Sequence, residues 1–285
     1  MRHLQLAGGT NSAPVPVLGL GTWRFGEAKA TRRAEIASVR TALELGYRLI
    51  DTAEMYGDGG AEEVVGTAVN DAIRAGDVRR DDVIIVSKVY PHHASRAGTL
   101  AACDRSLQRL GLGAIDVYLL HWRGQYALQE TVDAMQSLTA AGRIRHWGVS
   151  NFDVADMEEL AAISAHCALN QVWYSLAERG PEFALLPWLR SHGMPLMAYS
   201  PIDQGRAAQD PVLMQIARDR GLTAAQIALA TLLAEPGVIT IPKASGAAHL
   251  RENLAAADVR LTDEELQVIE RRFPRPVRSA PLAMN

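Results

Sequence analysis

Cysteine is scarce: the 285 residues contain two, Cys103 and Cys167, without CxxC spacing. That excludes a disulfide scaffold and a structural zinc site, and it predicts reduced, buried thiols. An excess of either charge is also missing. With 29 Lys and Arg against 32 Asp and Glu, the net charge of −3 offers no electrostatic footprint for nucleic acid or an anionic membrane. No apolar run near the N-terminus has the length of a signal segment, and none elsewhere approaches the roughly 18 residues of a membrane span. The expected location is the cytoplasm. Linkers rich in Gly, Ser or Pro and low-complexity runs are lacking too, so a single domain over 1–285 is expected.

What is present is a 48% hydrophobic fraction, enough for a sizeable core, and its arrangement is regular. Short runs rich in Val, Ile, Leu and Tyr fall at 19–22, 47–52, 83–89, 115–121, 146–150, 169–173, 196–200 and 238–242. Helical periodicity separates them, as in Ile36, Val39, Arg40 and Leu43, or Ala225, Ile227, Ala228 and Leu232. Strand then helix, repeated eight times, predicts parallel pairing with right-handed crossovers and hence an α/β fold, a (β/α)8 TIM barrel. Segments 4–6 and 14–18 flank the turn residues GGTNS and predict an N-terminal β-hairpin capping one mouth of the barrel. An additional helix at 211–220, stopped by Gly221, precedes a helix at 223–234.

In such a barrel the chemistry gathers where the strands end at their C-termini. There the sequence places Asp51 with Tyr56 following, Lys88, His121 with Trp122, and Ser150 with Asn151. Asp51 and Lys88 would each be costly to bury alone, so they are expected to pair. A phenol beside an ammonium group has its ionised form favoured, so Tyr56 is expected to have a lowered pKa and to donate a proton to a carbonyl oxygen. His121, as a neutral imidazole, would orient the same oxygen. Trp23, Tyr56, Tyr90, His121 and Trp122 are expected to wall a substrate pocket. Adjacent His92 and His93 lack acidic partners at ligand spacing and predict a solvent-facing loop, with no metal.

The motifs LGLGTW (18–23), LIDTAEMYG (49–57), SKV (87–89), YLLHW (118–122), GRIRHWGVSNF (142–152), NQVWY (170–174), AYSP (198–201), IPKAS (241–245) and REN (251–253) follow one another along the chain. In that order they are those of a known family, and the sequence resembles the aldo-keto reductases over essentially its whole length. The resemblance implies Asp51, Tyr56, Lys88 and His121 as the catalytic set, with Tyr56 the general acid and Lys88 its modulator held by Asp51. It also implies a nicotinamide dinucleotide bound extended across the barrel mouth; no GxGxxG follows a strand and opens a helix. Ser150, Asn151 and Gln171 would hold the carboxamide, and Tyr199, with Ser200 beside it, would stack on the nicotinamide. Gly21, Thr22, Trp23 and Asp51 would flank the cofactor near the first strands.

Lys243, Ser245, His249, Glu252 and Asn253 would take the adenosine end, where the pattern departs from the family. A Lys-Ser pair with an Arg six residues beyond the Lys becomes Lys243, Ala244 and His249. Ser245 brings a hydroxyl one residue late and Arg251 is near, but His249 lacks the bidentate fork of an arginine. NADPH is the expected cofactor, NADH the alternative. A helix over 247–257 would offer its unpaired N–H groups to phosphate. DTAEMYGDGGAE, SKVYP and LLHW are similar to bacterial members that reduce methylglyoxal and related 2-oxoaldehydes. The loop at 122–126 is short and only 12 residues follow Phe273, so a shallow, open pocket is expected. The expected function is NADPH-dependent reduction of small aldehydes and ketones to alcohols by a monomer, with no nucleic acid, membrane or metal partner. Two other readings are a nicotinamide-cofactor-sensing binding subunit on the same barrel with little turnover, and a metal-dependent hydrolase using Asp51 and His121.

Overall fold

The structure, a computed structural model, describes residues 1–8 and 14–284. Strands β1 (His3–Leu4) and β2 (Val15–Pro16) pair antiparallel as a small hairpin. Its GGTNS tip runs into residues 9–13, outside the described residues. The barrel strands follow as β3 (Leu20–Gly21), β4 (Leu49–Asp51), β5 (Ile84–Val89), β6 (Ile115–Leu120), β7 (Ile144–Ser150), β8 (Cys167–Trp173), β9 (Leu196–Tyr199) and β10 (Val238–Thr240). They pair parallel in sequence order. The two edges meet: Gly19 N–H donates to Thr240 O at 2.9 Å, Thr240 N–H to Val17 O at 2.8 Å and Gly21 N–H to Pro242 O at 3.2 Å. An edge strand left open would expose unpaired backbone, and closure removes it.

Helices α1 (Arg32–Leu45), α2 (Gly60–Ala75), α3 (Arg96–Leu110), α4 (Leu128–Ala140), α5 (Val154–Ile163) and α6 (Leu185–Ser191) each follow one strand. After β9 come α7 (Pro211–Arg220) and α8 (Ala224–Ala234), then α9 (Ala247–Ala256) and α10 (Asp263–Arg272) after β10. The doubled helix before β10 is the one expected from the sequence. Ser95, Asp153, Asp210, Thr223 and Thr262 accept backbone N–H groups at the starts of α3, α5, α7, α8 and α10. Each such cap contributes about 1 kcal/mol by holding an otherwise unpaired donor. Helix α8 is apolar on nearly every side because it is covered by α7, α9 and β10.

Two cores result. Leu49, Val86, Val117, Leu119, Leu169, Met197 and Ile239 fill the barrel, and Leu6 and Val15 from the hairpin pack onto them, plugging that end. The larger core lies between sheet and helices. Cys103 and Cys167 are buried and unpaired with each other. Strands β7 and β8 begin two residues before the expected 146 and 169. Arg145 hides the first start, a charge inside a strand that pairs with Asp81 outside the sheet and with Asp116 on the neighbouring β6. Cys167 and Ala168 hide the second, since Ala in particular is a weak strand former. Among the described residues, no helix is long and apolar enough to cross a membrane.

Candidate active site

Asp51 ends β4 and Lys88 lies near the end of β5, both almost fully buried. Lys88 Nζ donates to both Asp51 oxygens at 2.8 Å and to Thr52 O at 2.9 Å, and it stands 3.2 Å from Tyr56 Oη. Tyr56 reaches that point because the chain turns tightly after β4, with Gly57, Asp58 and Gly59 at φ 58°, 51° and 89°. Burial opposes both charges, pushing the Asp51 carboxyl up and the Lys88 ammonium down, while their mutual attraction opposes the shift. The expected lowering of the Tyr56 pKa is corrected here. Burial pushes the phenol well above its ordinary value, and the nearby Asp51 charge adds to the rise. Lys88 is committed to Asp51, so Tyr56 faces a neutralised pair in a dry site and not a bare cation.

His121 follows β6, with its ring edge-on to Tyr56 at 5.9 Å between centroids. Burial and the charge of Lys88 hold its pKa well below the ordinary range, so the imidazole is neutral near pH 7, as expected. Its Nδ1 is buried with no hydrogen-bond partner among the described residues. Beyond it, Asn151 (φ 60°) donates to His121 O and to Ser150 Oγ, both at 3.1 Å, and accepts the Tyr199 hydroxyl at 2.9 Å. Gln171 Nε2 donates to Asp51 Oδ1 at 2.7 Å. Strands β4, β5, β7, β8 and β9 are thus tied together by side chains at one mouth.

A cavity of about 890 Å³ opens over this cluster and continues to the start of α9. Gly21, Trp23, Asp51, Tyr56, His121 and Trp122 line it at one end, and Lys243, His249, Glu252 and Asn253 at the other. Asn151, Gln171, Tyr199 and Ser200 lie along it. Lys88 stands behind Asp51 and Tyr56. Four further expected residues do not line it. Thr22 turns its hydroxyl to Asp51 O at 2.9 Å, Ser150 donates to Gln171 O at 2.8 Å, and Ser245 is exposed beside the cavity. Tyr90 packs on His92 at 4.4 Å and edge-on to Trp122 at 5.9 Å, a shell behind the wall. Gly21 also has a packing reason to be glycine: a Cβ there would sit 2.6 Å from Ile241 O.

Other residues also line the cavity. Arg24 holds its guanidinium 4.6 Å from the Trp23 ring centre, and Met55 precedes Tyr56. Ile202, Gln204, Gly205 and Ala208 belong to an irregular stretch after β9, where the polar run DQG was the one available turn signal. Met284 enters from the tail, so the short C-terminus closes part of the cavity instead of leaving it open. His93 is half-buried, not a free loop residue, because Glu54 contacts its Nδ1 at 3.0 Å from 39 positions away. Among the described residues, no three His, Cys, Asp or Glu side chains come together in a metal-holding group.

Comparison with known proteins follows the same lines. The model described as the aldo/keto reductase family matches residues 17–272. Methylglyoxal reductase YeaE of Escherichia coli (strain K12) is 45% identical over 277 residues, 95% of each chain. Glyoxal reductase of Bacillus subtilis (strain 168) is 34% identical over 91% of this chain and 90% of its own length. Among solved structures, an aldo-keto reductase from Klebsiella pneumoniae in complex with NADPH is 47% identical, covers 100% of both chains and superposes with a TM-score of 0.92.

Proposed function

The chain belongs to the aldo/keto reductase family and is an oxidoreductase, and we propose that it reduces small aldehydes and ketones, 2-oxoaldehydes such as methylglyoxal among them, to alcohols with NADPH. The observation that carries this reading is the chain of contacts from Asp51 through Lys88 to the Tyr56 hydroxyl, set under one cavity beside a neutral His121.

The cavity fits a dinucleotide in size and in chemistry. Its volume lies near the upper end of small-molecule sites, about 300–1,000 Å³. Asn151 and Gln171 present neutral donors and acceptors suited to a carboxamide, and Tyr199 offers a ring face along the wall. Lys243 supplies a cation at the far end, and Gly246 precedes α9 without a side-chain cap, leaving the helix's first N–H groups for phosphate. The bound cofactor would supply hydride to the carbonyl carbon.

Tyr56 donates the proton to the carbonyl oxygen. Its raised pKa keeps that proton in place at neutral pH, and Lys88 acts when the proton leaves. The ammonium already donates to the phenol oxygen, and that bond strengthens as phenolate charge grows. Asp51 holds Lys88 in place and, through Gln171, ties it to the carboxamide-binding wall. His121 donates a hydrogen bond to the same carbonyl oxygen without a charge. Trp23 and Trp122 exclude water from one side. The methylglyoxal reductase YeaE and the Bacillus glyoxal reductase are named for 2-oxoaldehyde chemistry, which supports a compact, doubly oxygenated substrate.

The test is a kinetic panel on purified protein, following reduced-nicotinamide absorbance with NADPH or NADH against methylglyoxal, a sugar aldehyde and an aromatic aldehyde. Turnover with NADPH and highest kcat/KM on methylglyoxal is expected. Tight cofactor binding with no turnover on any carbonyl would contradict it and favour a sensor.

A further inference from the structure

Behind the strand that carries Lys88 lies a carboxylate that the proton transfer leaves unused. Glu62, in the first turn of α2, is fully buried. Its Oε1 accepts Ser87 Oγ at 2.5 Å and its Oε2 accepts Arg109 Nε at 2.6 Å, with Arg109 reaching in from α3. Ser87 precedes Lys88 on β5, and alternate residues of a strand face opposite sides. Ser87 therefore meets the helices while Lys88 meets Asp51 and Tyr56 inside the barrel.

The other half of the linkage runs through the backbone. Glu62 lies six positions after Tyr56, across a turn with little slack. A Cβ on Gly57 would lie 2.7 Å from the Gly26 carbonyl carbon, one on Gly60 2.5 Å from Gly26 O, and one on Gly59 2.5 Å from Arg109 Cδ. The segment from Tyr56 to Glu62 is clamped between the loop after β3 and the Arg109 side chain. A single buried carboxylate thus connects the strand bearing Lys88 to the turn bearing Tyr56.

We propose that Glu62 is a positioning residue, which through Ser87 and the start of α2 sets the 3.2 Å spacing between the Lys88 ammonium and the Tyr56 hydroxyl. This inference rests on the reductase reading, in which those two groups handle the proton. A carboxylate suits the task because it accepts on both sides at once. A glutamine would turn an N–H₂ toward Ser87 or Arg109, and an aspartate would be one methylene short of spanning them.

The test compares the parent with Ser87→Ala, Glu62→Gln, Tyr56→Phe and Tyr56→Phe/Ser87→Ala, using NADPH and methylglyoxal. NADPH Kd is titrated separately by protein fluorescence. Ser87→Ala and Glu62→Gln are expected to lower kcat by about ten- to 100-fold, the scale of a misplaced catalytic group. Kd for NADPH should stay within about twofold, since neither residue lines the cavity. Once Tyr56 is replaced, adding Ser87→Ala should change the residual rate by less than about twofold, because the spacing no longer matters. Parental kcat in Ser87→Ala would overturn the proposal, as would an equal loss in the Tyr56→Phe background, which marks a general packing defect. If Glu62→Gln does not fold, the Ser87→Ala pair decides alone. An inactive parent overturns the reductase reading itself, whereas an active parent, an impaired Tyr56→Phe and an unimpaired Ser87→Ala overturn the positioning role alone.

Discussion

The two ends of the cavity are built differently. At the inner end Asp51, Lys88, Asn151, Gln171 and Tyr199 are bound to their neighbours by contacts of 2.7 to 3.2 Å in a largely buried cluster. At the outer end Lys243 and His249 are exposed, and the Lys243 ammonium rests 5.5 Å from the Phe25 ring centre. Buried, mutually fixed dipoles are already arranged for charge that develops during a reaction, so reorganisation is small and the effect falls on rate. Exposed cations act through water and salt, so they contribute to affinity and little to the chemical step. Rate should therefore be set at the inner end and cofactor affinity at the outer one.

The largest blow to this division is expected from Lys88→Met. It removes the donor to Tyr56 and leaves Asp51 buried without its partner, a loss of about 3–5 kcal/mol of stability for a broken buried pair. On protein that remains folded, kcat should fall by about 100-fold or more, with NADPH affinity nearly kept. A proportional loss of affinity would erase the distinction. Lys243→Met should do the converse. Losing one charge-assisted contact of about 1.5–3 kcal/mol raises KM for NADPH by roughly ten- to 100-fold, with kcat within about twofold. Added salt should weaken NADPH binding to the parent more than to this variant, and equal slopes would remove Lys243 from the anion site.

The smallest effect concerns His121, and its sign follows from its lowered pKa. The unfolded chain takes up a proton near the ordinary 6.5 that the folded chain refuses. The histidine's contribution is complete above about pH 6.5 and is lost as the pH falls toward the lowered value. Tm of the parent should thus drop more steeply than that of His121→Asn between about pH 7 and pH 5. Parallel curves would mean that His121 is not held neutral by its surroundings.

The inner end was also the more legible one in the sequence. Asp51, Lys88, His121 and Asn151 terminate or follow strands with strong patterning, so register alone brought them to one mouth. The strand starts at Ile144 and Cys167 were missed because a charged Arg145 and a weakly β-forming Ala168 interrupt the pattern. The direction of the Tyr56 shift was also missed. A neighbouring lysine can be read from spacing, but the depth of burial and the neutralising grip of Asp51 cannot. Residues brought in by irregular backbone, such as Gln204, or by the tail, as with Met284, follow no period. The same holds for the contact between Glu54 and His93, which depends on how two loops fold over one another.

The most direct test of the inner end as the seat of rate is Tyr56→Phe, measured for NADPH binding and for single-turnover reduction of methylglyoxal under the same conditions. Loss of one hydroxyl removes the proton donor and leaves the ring, the cavity and the outer end in place. The expected result is an NADPH Kd within about twofold of the parent and a reduction rate lower by about 100- to 10,000-fold, the contribution of a positioned general acid. A Tyr56→Phe enzyme that reduces methylglyoxal at the parental rate would contradict the account.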